Sequence, residues 1–226
     1  MRIVGLTGNI ACGKSWVSGV LAAKGAPIID ADKISHDAAK RGTPGYRRVV
    51  KAFGTDFLQP DGELDRQRLG NLVFQDQAKR KKLNSILQPL IGIEIARQLA
   101  WHWLRGCRVV ILDAPLLFEA KISWLTKPIV VVSCNEETQL QRLRARDGLS
   151  EQQARDRINS QLPLTWKEAR ADVIINNSGT REETRTQVDA LWQKINGRQT
   201  FFQRITSRNG LLFAVGILVV GLKILR

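Results

Sequence analysis

Gly8-Asn9-Ile10-Ala11-Cys12-Gly13-Lys14-Ser15 is the stretch on which the reading of this chain turns. It satisfies GxxxxGK[ST] and stands between an apolar run at 3–7 and a segment at 15–24 where Val17, Val20 and Leu21 recur at helical spacing. A buried strand, a loop and a helix in that order are the context the motif needs. Gly8 and Gly13 permit positive φ, so backbone N–H groups can turn inward on phosphate oxygens. A helix opening near Lys14 adds the positive end of its dipole. Lys14 is expected to reach the β- and γ-phosphates of a nucleotide, and the Ser15 hydroxyl to bind Mg²⁺. Cys12 lies inside the loop and reads as a small residue there, the other reading being a reactive thiol.

Outward from the loop, 27–30, 108–112, 129–133 and 173–176 read as further short apolar strands. Residues 137–146, 151–160 and 182–195 read as helices. From 33 to about 105 the pattern is mostly helical, with loops at 42–45 and 59–62. Strands alternating with helices predict an α/β fold with a doubly wound, mostly parallel sheet of the P-loop NTPase type. The long stretch after the second strand is then a helical insert, at about 33–95.

Two strand ends carry carboxylates. Asp30 and Asp32 close the second strand (IIDAD), where the carboxyl edge of a parallel sheet opens towards a ligand. A carboxylate there can orient a hydroxyl and accept its proton during phosphoryl transfer. The other reading of Asp32 is a cap for the following helix. Residues 30 and 32 are expected to share a side of an extended segment, so one of them faces the nucleotide. Asp113 ends another strand (VVILD), the place for a carboxylate contact to Mg²⁺. The segment 115–119 is apolar and suits a substrate wall. No N-K-x-D follows Gly13, which disfavours a GTPase.

Arg142, Arg144, Arg146, Arg155 and Arg157 flank Gly148-Leu149-Ser150 between two helices. Such a pair forms a lid, at about 142–165, that brings one or two arginines over a transferring phosphoryl group. The other reading is a solvated face, since Asp147, Glu151 and Asp156 are interleaved.

The chain has 226 residues and a formal charge of +14, with 43% hydrophobic and 25% charged residues, the profile of a folded domain. Its basicity fits a cleft for a polyphosphate ligand, and no nucleic-acid partner is expected. Cys12, Cys107 and Cys134 show no paired spacing, so no disulfide framework is expected. His36 and His102 are far apart and indicate no metal site. The opening residues enter a strand at once, without the layout of a cleaved signal peptide.

The last thirty residues differ in kind. Residues 210–222 (GLLFAVGILVVGL) hold no charge and are flanked by Arg204 and Arg208 before, and Lys223 and Arg226 after. A helix over 210–225 would span about 24 Å against a hydrocarbon core of ~30 Å, which snorkelling cations and local thinning accommodate. With no polar face, it reads as a C-terminal membrane anchor rather than a core helix. The body would then face the cytosol, tethered to an intracellular membrane such as the peroxisome, endoplasmic reticulum or mitochondrial outer membrane.

Taken together, GLTGNIACGKS at 5–15, IIDAD at 28–32, DAPLLFE at 113–119, RDGLS at 146–150 and ADVIINNSG at 171–179 resemble the dephospho-CoA kinase family over residues 1–196. The resemblance implies that ATP phosphorylates the ribose 3′-hydroxyl of dephospho-CoA, with Mg²⁺. It implies Asp32 as the base, and Gly8, Asn9, Ile10, Ala11, Cys12, Gly13, Lys14 and Ser15 as the phosphate loop. It further implies Ser15 and Asp113 at the metal, Arg142 and Arg146 in the lid, and Asn177 and Gly179 near the adenine. The helical insert would hold the pantetheine-bearing substrate. The sequence departs from the family in three places. Asn9 stands for the usual glycine, and Gln88-Pro89-Leu90-Ile91 for His-Pro-Leu-Ile. The apolar tail resembles plant members. A nucleoside monophosphate kinase, or a non-catalytic, membrane-tethered nucleotide-binding protein, are the alternative readings.

Overall fold

The computed structural model describes residues 1–197; the expected tail helix lies outside them. Packing divides the described chain into two units, one of residues 1–29 with those from 100 onward, the other of residues 30–99.

The first unit is built on five strands, β1 (Arg2–Gly8), β2 (Ile28–Asp30), β3 (Val109–Asp113), β4 (Ile129–Ser133) and β5 (Val173–Asn176), in the order β2-β3-β1-β4-β5. β1 pairs in parallel with β3 and β4, and β4 with β5. Val4 and Leu6 of β1, Val109–Asp113 and most of β4 are buried, as runs of β-branched residues covered on both faces should be. Helices α1 (Lys14–Ala23) and α9 (Arg181–Ile195) close over the sheet. Val17, Leu21, Val188, Leu191 and Ile195 join β1, β4 and β5 in one core. Each such side chain contributes roughly 1.5–3 kcal/mol on burial.

Between β4 and β5 run α6 (Glu136–Asp147), α7 (Glu151–Asn159) and α8 (Leu164–Glu168). Asn135 caps α6 by accepting from Thr138 N, and Gly148 ends it at φ 65°. Ser150 and Gln153 form a capping box on α7, as Thr180 and Glu183 do on α9. The turn α8 is not foreseen by the sequence pattern: five residues are too few to show a helical period.

The second unit is helical. It comprises α2 (Ala31–Ala38), α3 (Pro44–Phe53), α4 (Arg66–Gln75) and most of α5 (Gln77–Leu104), a 28-residue helix that contains Pro89 and continues into the first unit. The expected loop at 42–45 is shorter than that, because Thr43 caps α3 and Pro44 occupies its first turn. Ala39, Val49, Leu64 and Leu69 form this unit's own core. No helix among the described residues is long and apolar enough to cross a membrane.

Candidate phosphate-binding site

The loop at 8–15 joins the carboxyl end of β1 to the first turn of α1. The first turn of any helix leaves N–H groups without intrahelical partners, and here they open on the loop. The left-handed residues are Ala11 (φ 63°) and Gly13 (φ 86°), not Gly8 or Asn9. Gly8 is required for a different reason: a Cβ there would lie 2.6 Å from the carbonyl oxygen of Val132 in the adjacent strand. Asn9 is buried, and its side-chain amide donates to Leu162 O at 3.1 Å.

Groups distant in sequence hold this loop. Gln161 Oε1 accepts from Ile10 N at 2.8 Å, and Gln139 Nε2 donates to Ile10 O at 2.8 Å. Buried Asn177, just past β5, donates from Nδ2 to Cys12 O at 2.8 Å, while its Oδ1 accepts from the fully buried Thr184 hydroxyl at 3.0 Å. A Cβ on Gly13 would lie 2.1 Å from Asn177 Nδ2, so glycine at 13 serves both its backbone angle and this approach. Cys12 Sγ and Cys134 Sγ share a hydrogen bond at 3.3 Å.

Lys14 Nζ donates to Asp113 Oδ1, bringing together two residues singled out in sequence. Asp113 is buried at the end of β3, and Ser15 is exposed in the first turn of α1. Beyond Asp113, the Pro115 carbonyl accepts from Thr7 Oγ1 at 2.9 Å and from Lys167 Nζ at 3.3 Å. Lys167 is fully buried and pairs with Glu119 Oε1 at 2.8 Å. The segment 115–119 is therefore anchored by polar groups and is not a purely apolar wall.

Among the arginines, Arg142 Nη1 donates to Asn177 O at 2.8 Å. Arg146 pairs with Asp147 at 2.8 Å, and Arg157 pairs with the same carboxylate at 2.8 Å. The Arg146 guanidinium, with Arg157, holds the Asp147 carboxyl below the usual carboxylate range. Arg155 bridges Glu151 and Glu136, and Arg144 lies 3.8 Å from Glu151. Four of the five thus sit on a face of exposed ion pairs, as the interleaved acids allow. Gly179 is exposed beside the cap of α9.

In the second unit, Asp30 and Asp32 do not share a side of an extended segment. The chain turns into α2 at Ala31, so Asp30 caps the helix by accepting from Lys33 N at 2.9 Å, and Asp32 is exposed in its first turn. The cap belongs to Asp30 rather than Asp32.

The profile of the dephospho-CoA kinase family matches residues 2–183. The chain belongs to that family. A dephospho-CoA kinase from Oryza sativa subsp. japonica is 46% identical over 98% of this chain and 96% of its own length, and one from Arabidopsis thaliana is 44% identical over 99% and 97%. Both matches run on into the residues after 197. The solved structure of a dephospho-CoA kinase from Campylobacter jejuni superposes with a TM-score of 0.66 at 28% identity, covering 86% of this chain and 98% of that one. As a dephospho-CoA kinase family member, the chain places Gln88 exposed on α5, immediately before Pro89.

Gln139, Gln161, Lys167, Thr184 and Cys134 have no local sequence signature. Gln139, Gln161, Lys167 and Cys134 each act across more than forty residues of chain, and Thr184 acts on the loop through Asn177, by contacts that only the folded sheet and its helices create.

Proposed function

We propose that this chain transfers the terminal phosphoryl group of ATP to dephospho-CoA, giving coenzyme A and ADP. Membership of the dephospho-CoA kinase family over residues 2–183, with the phosphate loop seated between β1 and α1, carries the reading. The acceptor is the ribose 3′-hydroxyl. Asp32 takes its proton: the residue lies exposed two positions past β2 and leaves the capping of α2 to Asp30. The loop amides from Gly8 to Ser15 and the Lys14 ammonium hold the phosphates. Ser15 and Asp113 offer an exposed hydroxyl and a buried carboxylate, oxygen donors that suit Mg²⁺. Bound there, Mg²⁺ would neutralise charge on the phosphates. Arg142 and Arg146 serve as residues of a lid at about 142–165 that would close over the transferred group, and Asn177 and Gly179 lie at the strand end assigned to the adenine. The helical insert at 33–95 receives the pantetheine arm.

Residues 1–200 incubated with Mg-ATP should phosphorylate dephospho-CoA and leave nucleoside monophosphates untouched. Asp32→Asn should abolish turnover while ATP binding persists; unchanged turnover would refute the base assignment.

The tail reads as a membrane anchor that leaves the catalytic body facing the cytosol, on the strength of the uncharged run at 210–222 between basic flanks. A fluorescent protein fused to residues 198–226 should collect on an intracellular membrane, and a diffuse signal would end the idea.

A further inference from the structure

Two of the three cysteines are brought together by the fold. Cys12 stands in the phosphate loop and Cys134 directly follows β4, 122 positions on, yet their sulfurs are 3.3 Å apart and both residues are buried. Cys107 is elsewhere, with His102 Nδ1 at 3.8 Å from its sulfur. A disulfide bond is about 2.05 Å long, so joining Cys12 and Cys134 needs the sulfurs to close by about 1.2 Å.

We propose that Cys12 and Cys134 form a modification site, a dithiol that a two-electron oxidant such as hydrogen peroxide converts to a disulfide tying the phosphate loop to the end of β4.

Chemistry and position favour Cys134 as the first thiol attacked. It borders exposed Asn135, whereas Cys12 is fully enclosed. The shared hydrogen bond with Cys12, then the charge of Arg142, hold the Cys134 thiol below the usual range, which raises its thiolate fraction. The same hydrogen bond and burial push Cys12 up, so it keeps its proton in the reduced enzyme. The Cys134 thiolate attacks one peroxide oxygen, the O–O bond breaks, and a sulfenic acid and hydroxide result. The Cys12 sulfur then attacks the sulfenic sulfur, the S–O bond breaks, and water leaves with the Cys12 proton. Two thiols have lost two electrons, and peroxide has become two waters.

The loop has little slack to absorb the change. Cys12 N donates to Asn9 O at 3.2 Å and Cys12 O accepts from Asn177, so drawing the side chain towards β4 displaces both bonds. The amides on either side are those assigned to ATP phosphates, and this consequence for activity rests on the proposed function. The bond itself does not. By linkage, ATP that holds the loop in its reduced geometry should slow the oxidation.

The test is to treat the reduced full-length chain with hydrogen peroxide, alkylate free thiols under denaturing conditions, and map peptides without reductant. A linked Cys12–Cys134 peptide about 2 Da lighter than its two reduced parts, with Cys107 alkylated, is expected. Dithiothreitol should restore both thiols and the lost turnover. Cys134→Ser, measured against its own untreated turnover, should resist inactivation by peroxide. Recovery of alkylated Cys12 and Cys134 after oxidation overturns the proposal, and so does linkage through Cys107. Because the peptide map is read on the natural sequence, it decides the matter even where the Cys134→Ser chain folds poorly. It also separates failure of this idea from failure of the kinase reading.

Discussion

Asn177 donates through Nδ2 to the carbonyl oxygen of Cys12 at 2.8 Å, which fastens the end of β5 to the phosphate loop. The Thr184 hydroxyl, donating to Asn177 Oδ1 at 3.0 Å, fixes which way the amide faces. A residue read in sequence as bordering the adenine thus also shapes the phosphate cradle.

Asn177→Asp keeps the acceptor for Thr184 but removes the donor to Cys12 and adds negative charge beside the loop. A buried carbonyl left without its partner costs about 1–3 kcal/mol. ATP affinity should fall by roughly tenfold or more, which is about 1.4 kcal/mol. Calorimetric titration reads this directly, and an unaltered Kd would show that the contact does not shape the site.

Gly13→Ala should be worse. Its φ of 86° is costly for any residue with a Cβ, by roughly 1–2 kcal/mol, and the new carbon would meet Asn177 at 2.1 Å. ATP binding should be lost. Removing the steric partner in Gly13→Ala/Asn177→Ala should not restore it, because the backbone strain remains.

Lys167→Met should destabilise the protein by about 3 kcal/mol, through the Glu119 carboxylate left buried without its partner. Glu119 retains 23% side-chain exposure, which argues for the lower end of that class. Adding Glu119→Gln should recover part of the loss, since it removes the unpaired charge. Urea unfolding measures both steps, and a single variant as stable as the parent would refute the role.

Asp147 sets an acid limit on the α6–α7 junction. Its folded pKa lies below the ordinary carboxylate value near 3.9, so its contribution is complete above that value and is lost as pH falls through the lower one. Hydrogen exchange across α7 should accelerate over that acid window, and Asp147→Asn should abolish the pH dependence while leaving neutral-pH turnover measurable.

Much of the architecture was written locally. The runs 3–7, 129–133 and 173–176 are strands as read, and the motif at 8–15 sits in the strand–loop–helix context it demands, because apolar periodicity and glycine placement act within a few residues. The cap of α2, which the sequence offered to Asp32 as the alternative to a functional role, falls to Asp30. Local pattern could not say that Ala11, not Asn9, takes the left-handed turn, since which residue bends depends on what clasps the loop.

By itself the sequence determined a phosphate loop on a parallel α/β sheet and the order of its family-like segments. Only the tertiary structure decided what holds that loop: Gln161 and Gln139 on Ile10, Asn177 on Cys12, Lys14 on Asp113, and the thiol of Cys134 against that of Cys12. Periodicity reports which face of an element is buried. Hydrogen bonds between residues about a hundred or more apart depend on strand order and register, and these exist only once the sheet has formed.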